Sequence, residues 1–83
     1  MFINKAENGK NNVCGRKIAL LRKDNNLSQR ALADKLQLCG LNVDKNAVQR
    51  IEAGLRFVTD IELVVIREVL DVSFEELLFD DKS

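Results

Sequence analysis

The sequence predicts an all-α domain, a compact five-helix bundle around one core. Three observations carry that expectation. A helix-starting cap recurs four times, apolar residues repeat with a 3.6-residue period, and 83 residues, 46% of them hydrophobic, fill one core but not two. Residues 14–79 are read as the domain, 1–13 as a flexible N-terminal arm and 80–83 as an acidic tail.

The arm holds Asn4, Asn8, Asn11, Asn12 and Gly9 with little periodicity, and Val13 is the residue expected to pin its end. The first helix, 15–25, follows from a stripe of Ile18, Leu21 and Arg22 with Ala19 and Leu20 beside it, closed by Asn25-Asn26. Each later helix opens on a cap residue with an apolar residue before it and another four after it. Leu27-Ser28 with Leu32 opens 28–38, and Val43-Asp44 with Val48 opens 44–53. Val58-Thr59 with Leu63 opens 59–70, where Glu62 completes a capping box, and Val72-Ser73 with Leu77 opens 73–79, where Glu76 does the same. Gly40 and Gly54 stand where a left-handed residue ends a helix. The expected core is Leu20, Leu21, Leu32, Leu36, Val48, Ile51, Leu63, Ile66 and Leu70.

Composition narrows the function. No His and only two Cys, Cys14 and Cys39, leave no four-ligand zinc site, so no metal is expected, and two free thiols are favoured over a bridge. Without His, a Cys–base motif or a glycine-rich phosphate loop, no catalytic residue and no cofactor are expected, and an enzyme is the least supported class. No apolar run approaches the roughly 20 residues that cross a bilayer, and no secretory signal opens the chain, so the expected location is cytoplasmic, away from any membrane. The formal charge of zero conceals a segregation: residues 16–59 carry nine basic against four acidic groups, net +5, and residues 60–83 two against eight, net −6. A body with one basic and one acidic side suits contact with a polyanion; ordinary solvated charge that happens to segregate gives the same totals.

Two short helices, the second capped and polar on its free face, form a helix-turn-helix, here 28–53. With Val48 and Ile51 inward, Lys45, Asn46, Gln49 and Arg50 fall on the outer face near the helix start. Such side chains read bases, Arg and Lys at guanine and Asn and Gln at adenine, although they also occupy solvated helix faces. Gln29, at a helix N-terminus, is placed for a phosphate, with Arg56, Arg16, Lys17 and Arg30 as further phosphate candidates.

Leu27-Ser28-Gln29, Leu32-Ala33, Val48 and Ile51-Glu52-x-Gly54 together resemble the Cro/CI-type helix-turn-helix of phage repressors and their small bacterial relatives. Gly15-x-x-Ile18-x-x-x-Arg22 and Ile61-Glu62-Leu63 to Leu70 extend the likeness over residues 13–79. The resemblance implies a lambda-repressor-like bundle, base contacts at Lys45, Asn46, Gln49 and Arg50, and a DNA-backbone contact at Gln29. It also implies a salt bridge between Arg22 and Glu52 that links the first helix to the end of the recognition helix. One departure is an enlarged turn between helices 2 and 3, at Cys39-Gly40-Leu41-Asn42, about five residues longer than the tight connection of the family.

The expected function is a sequence-specific transcriptional regulator, a repressor, that inserts residues 44–53 into the major groove of a near-palindromic operator on double-stranded DNA. A homodimer is expected through Val64, Val65, Phe74 and Leu78 on helices 4 and 5, although Phe74 and Leu77 also suit closing the domain's own core. Two alternatives stand beside it: the DNA-binding antitoxin of a toxin–antitoxin pair, which has a partner protein, and a protein-interaction module that has lost DNA binding. If the chain is whole, control comes from concentration, a partner or proteolysis; if it is the front of a longer protein, an effector domain follows it.

Overall fold

A computed structural model describes residues 9–79; residues 1–8, most of the arm, and 80–83, the acidic tail, lie outside the described residues. Five helices follow one another: α1 (Gly15–Asp24), α2 (Gln29–Leu38), α3 (Lys45–Glu52), α4 (Asp60–Leu70) and α5 (Phe74–Leu78). Among the described residues there is no strand. The expected spans overlap all five and differ by one or two residues, mostly because they counted the caps.

Local chemistry explains both ends of these helices. Ser28, Asp44, Thr59 and Ser73 keep extended backbone while their side chains accept from the N–H groups of Ala31, Ala47, Glu62 and Glu76. Glu62 and Glu76 reach back to the cap N–H, so both capping boxes form. The helix ends share a second device. Leu27, Leu41, Leu55 and Val72 donate their N–H groups to Arg22, Leu36, Arg50 and Arg67 carbonyls, each across a left-handed residue: Asn26, Gly40, Gly54 and Asp71. That is the Schellman arrangement, which satisfies the last helical carbonyls and throws the chain into the next cap.

The core is Cys14, Ile18, Leu32, Ala33, Leu36, Val43, Val48, Ile51, Ile66, Leu70 and Leu77, with Leu21, Leu63, Val65 and Leu78 packed against it. Helix α3 lies against α2 and α1, while α5 returns to α1 and α4 to α2. Leu20 is a correction to the expected core: it is 50% exposed. It stands two residues after buried Ile18, about 200° around a helix of 3.6 residues per turn, and therefore on the opposite side. Leu77 is fully enclosed, so α5 closes this domain's own core.

The enlarged turn is anchored rather than loose. Val43 is buried, Leu41 packs against the core, and the Gln37 amide donates to the Val43 carbonyl at 3.1 Å. Val13 is 63% exposed and does not pin the chain ahead of α1; Asn12 does, through hydrogen bonds to Ile51 in the last turn of α3 and to Arg56 beyond it. Among the described residues no helix is long and apolar enough to cross a membrane.

Candidate nucleic-acid interface

The short helix α3 is amphipathic within two turns. Val48 and Ile51 are buried, and Lys45, Asn46, Gln49 and Arg50 are exposed, so burial of the two apolar residues dictates which four face water. Asn46, Gln49, Arg50, Ala53 and Leu55 line one open concavity. Lys45 borders another with Arg30, Asp34 and Gln37 of α2. Leu55 is the one apolar Schellman residue that is exposed, at 66%, and it sits beside the polar readers of α3.

What orients α3 is its last residue. The Glu52 carboxylate accepts from Arg22 Nε at 2.6 Å and Nη2 at 3.1 Å, and from Gln29 Nε2 at 3.0 Å. Arg22 Nη1 donates to the Leu27 carbonyl at 2.7 Å. One carboxylate thus ties together α1, the start of α2 and the end of α3. The Arg22 and Glu52 side chains are 9% and 8% exposed, and the pairing is the bidentate form that holds both groups in a plane.

Gln29 spends one amide hydrogen on Glu52; the second remains available from the first position of α2, where N–H groups also point outward. Arg16 and Arg30 are exposed near the starts of α1 and α2, and Lys17 is half-buried. Arg56 differs from them. Its guanidinium grips Glu62 through two 2.9 Å bonds and also donates to the Phe57 carbonyl, so much of its charge is already answered within the chain. Sequence reasoning missed this pair because Glu62 was assigned wholly to its capping box. The six-residue spacing across a turn gives no signal of its own.

The Arg56 hydrogen bond, aided by the Thr59 N–H, holds the Glu62 carboxyl below its ordinary range despite burial pushing it up. A carboxylate depressed in the folded state stabilises above its unfolded value, about 4.3, and that stabilisation is lost as pH falls through the folded value. Glu62→Gln, which keeps the capping box, is expected to lower stability at neutral pH by about 0.5–1 kcal/mol for this partly screened pair. Its urea midpoint should then fall less steeply than that of the wild type as pH drops below about 4.3. Parallel pH profiles for the two proteins would remove the pair from the account of acid stability.

The residues expected to form a dimer contact divide. Val64 and Phe74 are 43% and 44% exposed, whereas Val65 and Leu78 are partly buried against this chain's own core. The Arg67 guanidinium lies over the Phe74 ring at 5.1 Å and donates to the Val72 carbonyl. Ile61, one turn before Val64, is also exposed. Cys14 is buried, which pushes its thiol up to about 11, and Cys39 is exposed; both are free. Among the described residues no cluster suits a metal ion.

Comparison with known proteins gives two findings. The family described as Helix-turn-helix matches residues 18–77, most of the chain. The solved restriction-modification controller protein C.AhdI from Aeromonas hydrophila is similar in structure, with a TM-score of 0.66 and 28% identity over 76% of this chain and 88% of that one. Among curated proteins nothing matches.

Proposed function

Because the chain belongs to the helix-turn-helix family of DNA-binding transcription regulators, we propose that it acts as a sequence-specific repressor. In this reading it inserts residues 44–53 into the major groove of a near-palindromic operator. The observation that carries the reading is the exposed set Lys45, Asn46, Gln49 and Arg50 on a helix whose end is fixed by the Glu52 hub. A reader of base edges needs side chains of this kind held in one orientation, because bidentate pairs to guanine or adenine are lost with small misplacements. Gln29, Arg16, Lys17 and Arg30 would hold phosphates around it, and Arg56 contributes less because Glu62 already occupies its guanidinium. The acidic α4–α5 side is then turned away from DNA. The likeness to a solved controller protein supports regulation over other uses of the fold. The cytoplasmic location follows from the same reading.

The test is a selection from genomic DNA fragments at about 0.1–0.2 M salt, which suppresses much sequence-independent binding. Wild type is expected to enrich a short inverted repeat, and the Gln49→Ala, Arg50→Ala double variant is expected to enrich none, since each bidentate contact discriminates by about 1–3 kcal/mol. Enrichment by neither protein would transfer the fold to protein interaction. Enrichment of the same sequence by both would move the readers off these two positions.

An inverted repeat calls for two copies of the reader. We propose that the homodimer uses the exposed pair Val64 and Phe74, with Val65 and Leu78 supporting them from the core side. At micromolar concentration the wild type should sediment at twice the mass of one chain, and Val64→Asp at the mass of one. A single-chain mass for the wild type would overturn the dimer.

A further inference from the structure

The segment ahead of α1 makes a set of contacts that the DNA reading leaves unexplained. Asn11 donates its backbone N–H to the Gly54 carbonyl at 2.8 Å and its side-chain amide to the Leu55 carbonyl at 3.1 Å. Asn12 donates to both the Ile51 and Arg56 carbonyls, at 3.1 and 2.8 Å, while its own Oδ1 accepts the Gly15 N–H at 2.8 Å. Lys10 Nζ reaches the Ala53 carbonyl at 3.1 Å. Five carbonyls within six residues, those of Ile51 and of Ala53 to Arg56 around the last residue of α3, thus receive donors from three consecutive residues.

We infer that Lys10–Asn12 is a positioning clamp for the recognition helix, acting on operator specificity through the C-terminal end of α3 rather than by touching bases. This rests on the DNA reading above. Ile51 in the last turn of α3, Ala53 at its C-cap and Gly54 to Arg56 in the turn that follows each present a carbonyl lone pair beyond the Schellman bonds, at the end where the macrodipole concentrates negative charge. Amide donors and an ammonium are the groups that answer both. The helix is only eight residues long, so fixing its last turn fixes its axis. Glu52 ties that turn by its side chain to α1 and α2; Asn12 holds it by the Ile51 carbonyl, and Asn11 holds the Schellman turn behind it at the Gly54 and Leu55 carbonyls. The reading end, Lys45 to Arg50, is left unencumbered, and Leu55 beside it is fixed at both its N–H and its carbonyl. Asn12 also couples the clamp to α1, since the same side chain caps Gly15.

Asn12→Asp separates the two jobs of that side chain, because aspartate still accepts from Gly15 N–H but cannot donate to Ile51 or Arg56. The full chain carrying Asn12→Asp, and separately the milder Asn11→Ala, would be assayed on the duplex recovered by wild type and on a scrambled duplex at the same salt. Melting temperature would be measured alongside. The expected result is at least a tenfold drop in the operator-to-scrambled affinity ratio for Asn12→Asp and about threefold for Asn11→Ala. Affinity for the scrambled duplex should be unchanged in both, with the protein folded at the assay temperature. An unchanged ratio in folded variants overturns the clamp, and so does a parallel fall on both duplexes that tracks the unfolded fraction. Amide hydrogen exchange reads the clamp without DNA: the Asn11 and Leu55 amides should exchange at least tenfold faster in Asn12→Asp than in wild type. Equal exchange rates would overturn it even where the wild type fails to discriminate between duplexes, an outcome that sinks the DNA reading instead.

Discussion

Glu52→Ala is expected to destabilise the protein by about 3–5 kcal/mol, the range for removing one partner of a buried ion pair. The loss is large because of what remains. Arg22 is 8% exposed and would keep its charge in a nearly dry site with only the Leu27 carbonyl to face, and the Gln29 amide would lose its acceptor. For a domain of this size each kilocalorie moves the melting temperature by about 4–8 °C, so a fall of at least about 12 °C is expected. Replacing both charges, as Arg22→Met with Glu52→Leu, should recover most of that loss, because an apolar pair of similar volume needs no desolvation. The recovered protein would still lack the tie from Gln29 to α3, and it should therefore bind the operator less selectively than wild type. If Glu52→Ala melts with wild type, the hub holds nothing together and α3 is oriented by packing and by the contacts from Lys10 to Asn12.

The contrast between this pair and the segment ahead of α1 shows what the sequence makes visible. Helix starts were legible because a cap acts over three residues: Ser28, Asp44, Thr59 and Ser73 each need only their own neighbours, and all four cap as expected. The outer face of α3 was legible for the same reason, since Val48 and Ile51 fix the helix phase and the phase fixes Lys45, Asn46, Gln49 and Arg50. Helix ends were half legible. Gly40 and Gly54 announced theirs, but Asp71 adopts the left-handed conformation with no such announcement. Leu20 misled because a run of four apolar residues, Ile18 to Leu21, gives no phase until something else in the helix sets it. Asn12 was read as part of a flexible arm because its partners, Ile51 and Arg56, stand 39 and 44 residues away. An asparagine that caps a distant helix looks, in sequence, like one that does nothing. The α1–α3 tie through Arg22 and Glu52 was visible only through the resemblance, since neither periodicity nor charge count pairs residues 30 positions apart.

Gly15→Ala is expected to cost about 3 kcal/mol, in a direction opposite to intrinsic preference. Gly15 is the first residue of α1 and has an ordinary helical backbone, so an exchange to alanine would by propensity alone stabilise the helix by up to about 1 kcal/mol. Tertiary contact reverses the sign. A Cβ built there meets the Ile51 backbone oxygen far inside van der Waals contact and Asn12 Oδ1 at 2.9 Å. Neither neighbour yields cheaply: the Ile51 carbonyl belongs to the last turn of α3 and already accepts from Asn12, and Asn12 is held at three points. Relief requires α1 to withdraw from α3, which opens the packing of buried Cys14 and Ile18 against Ile51. Overpacking of this kind typically costs about 1–3 kcal/mol, and a rigid backbone atom in the way places Gly15 at the top of that range. Combined with Asn12→Ala, the loss should be less than additive, because both changes release the same junction of α1 with the end of α3. A Gly15→Ala protein as stable as wild type, or more so, would mean that α1 and α3 stand farther apart in solution, and the tie between them would then rest on Arg22 and Glu52 alone.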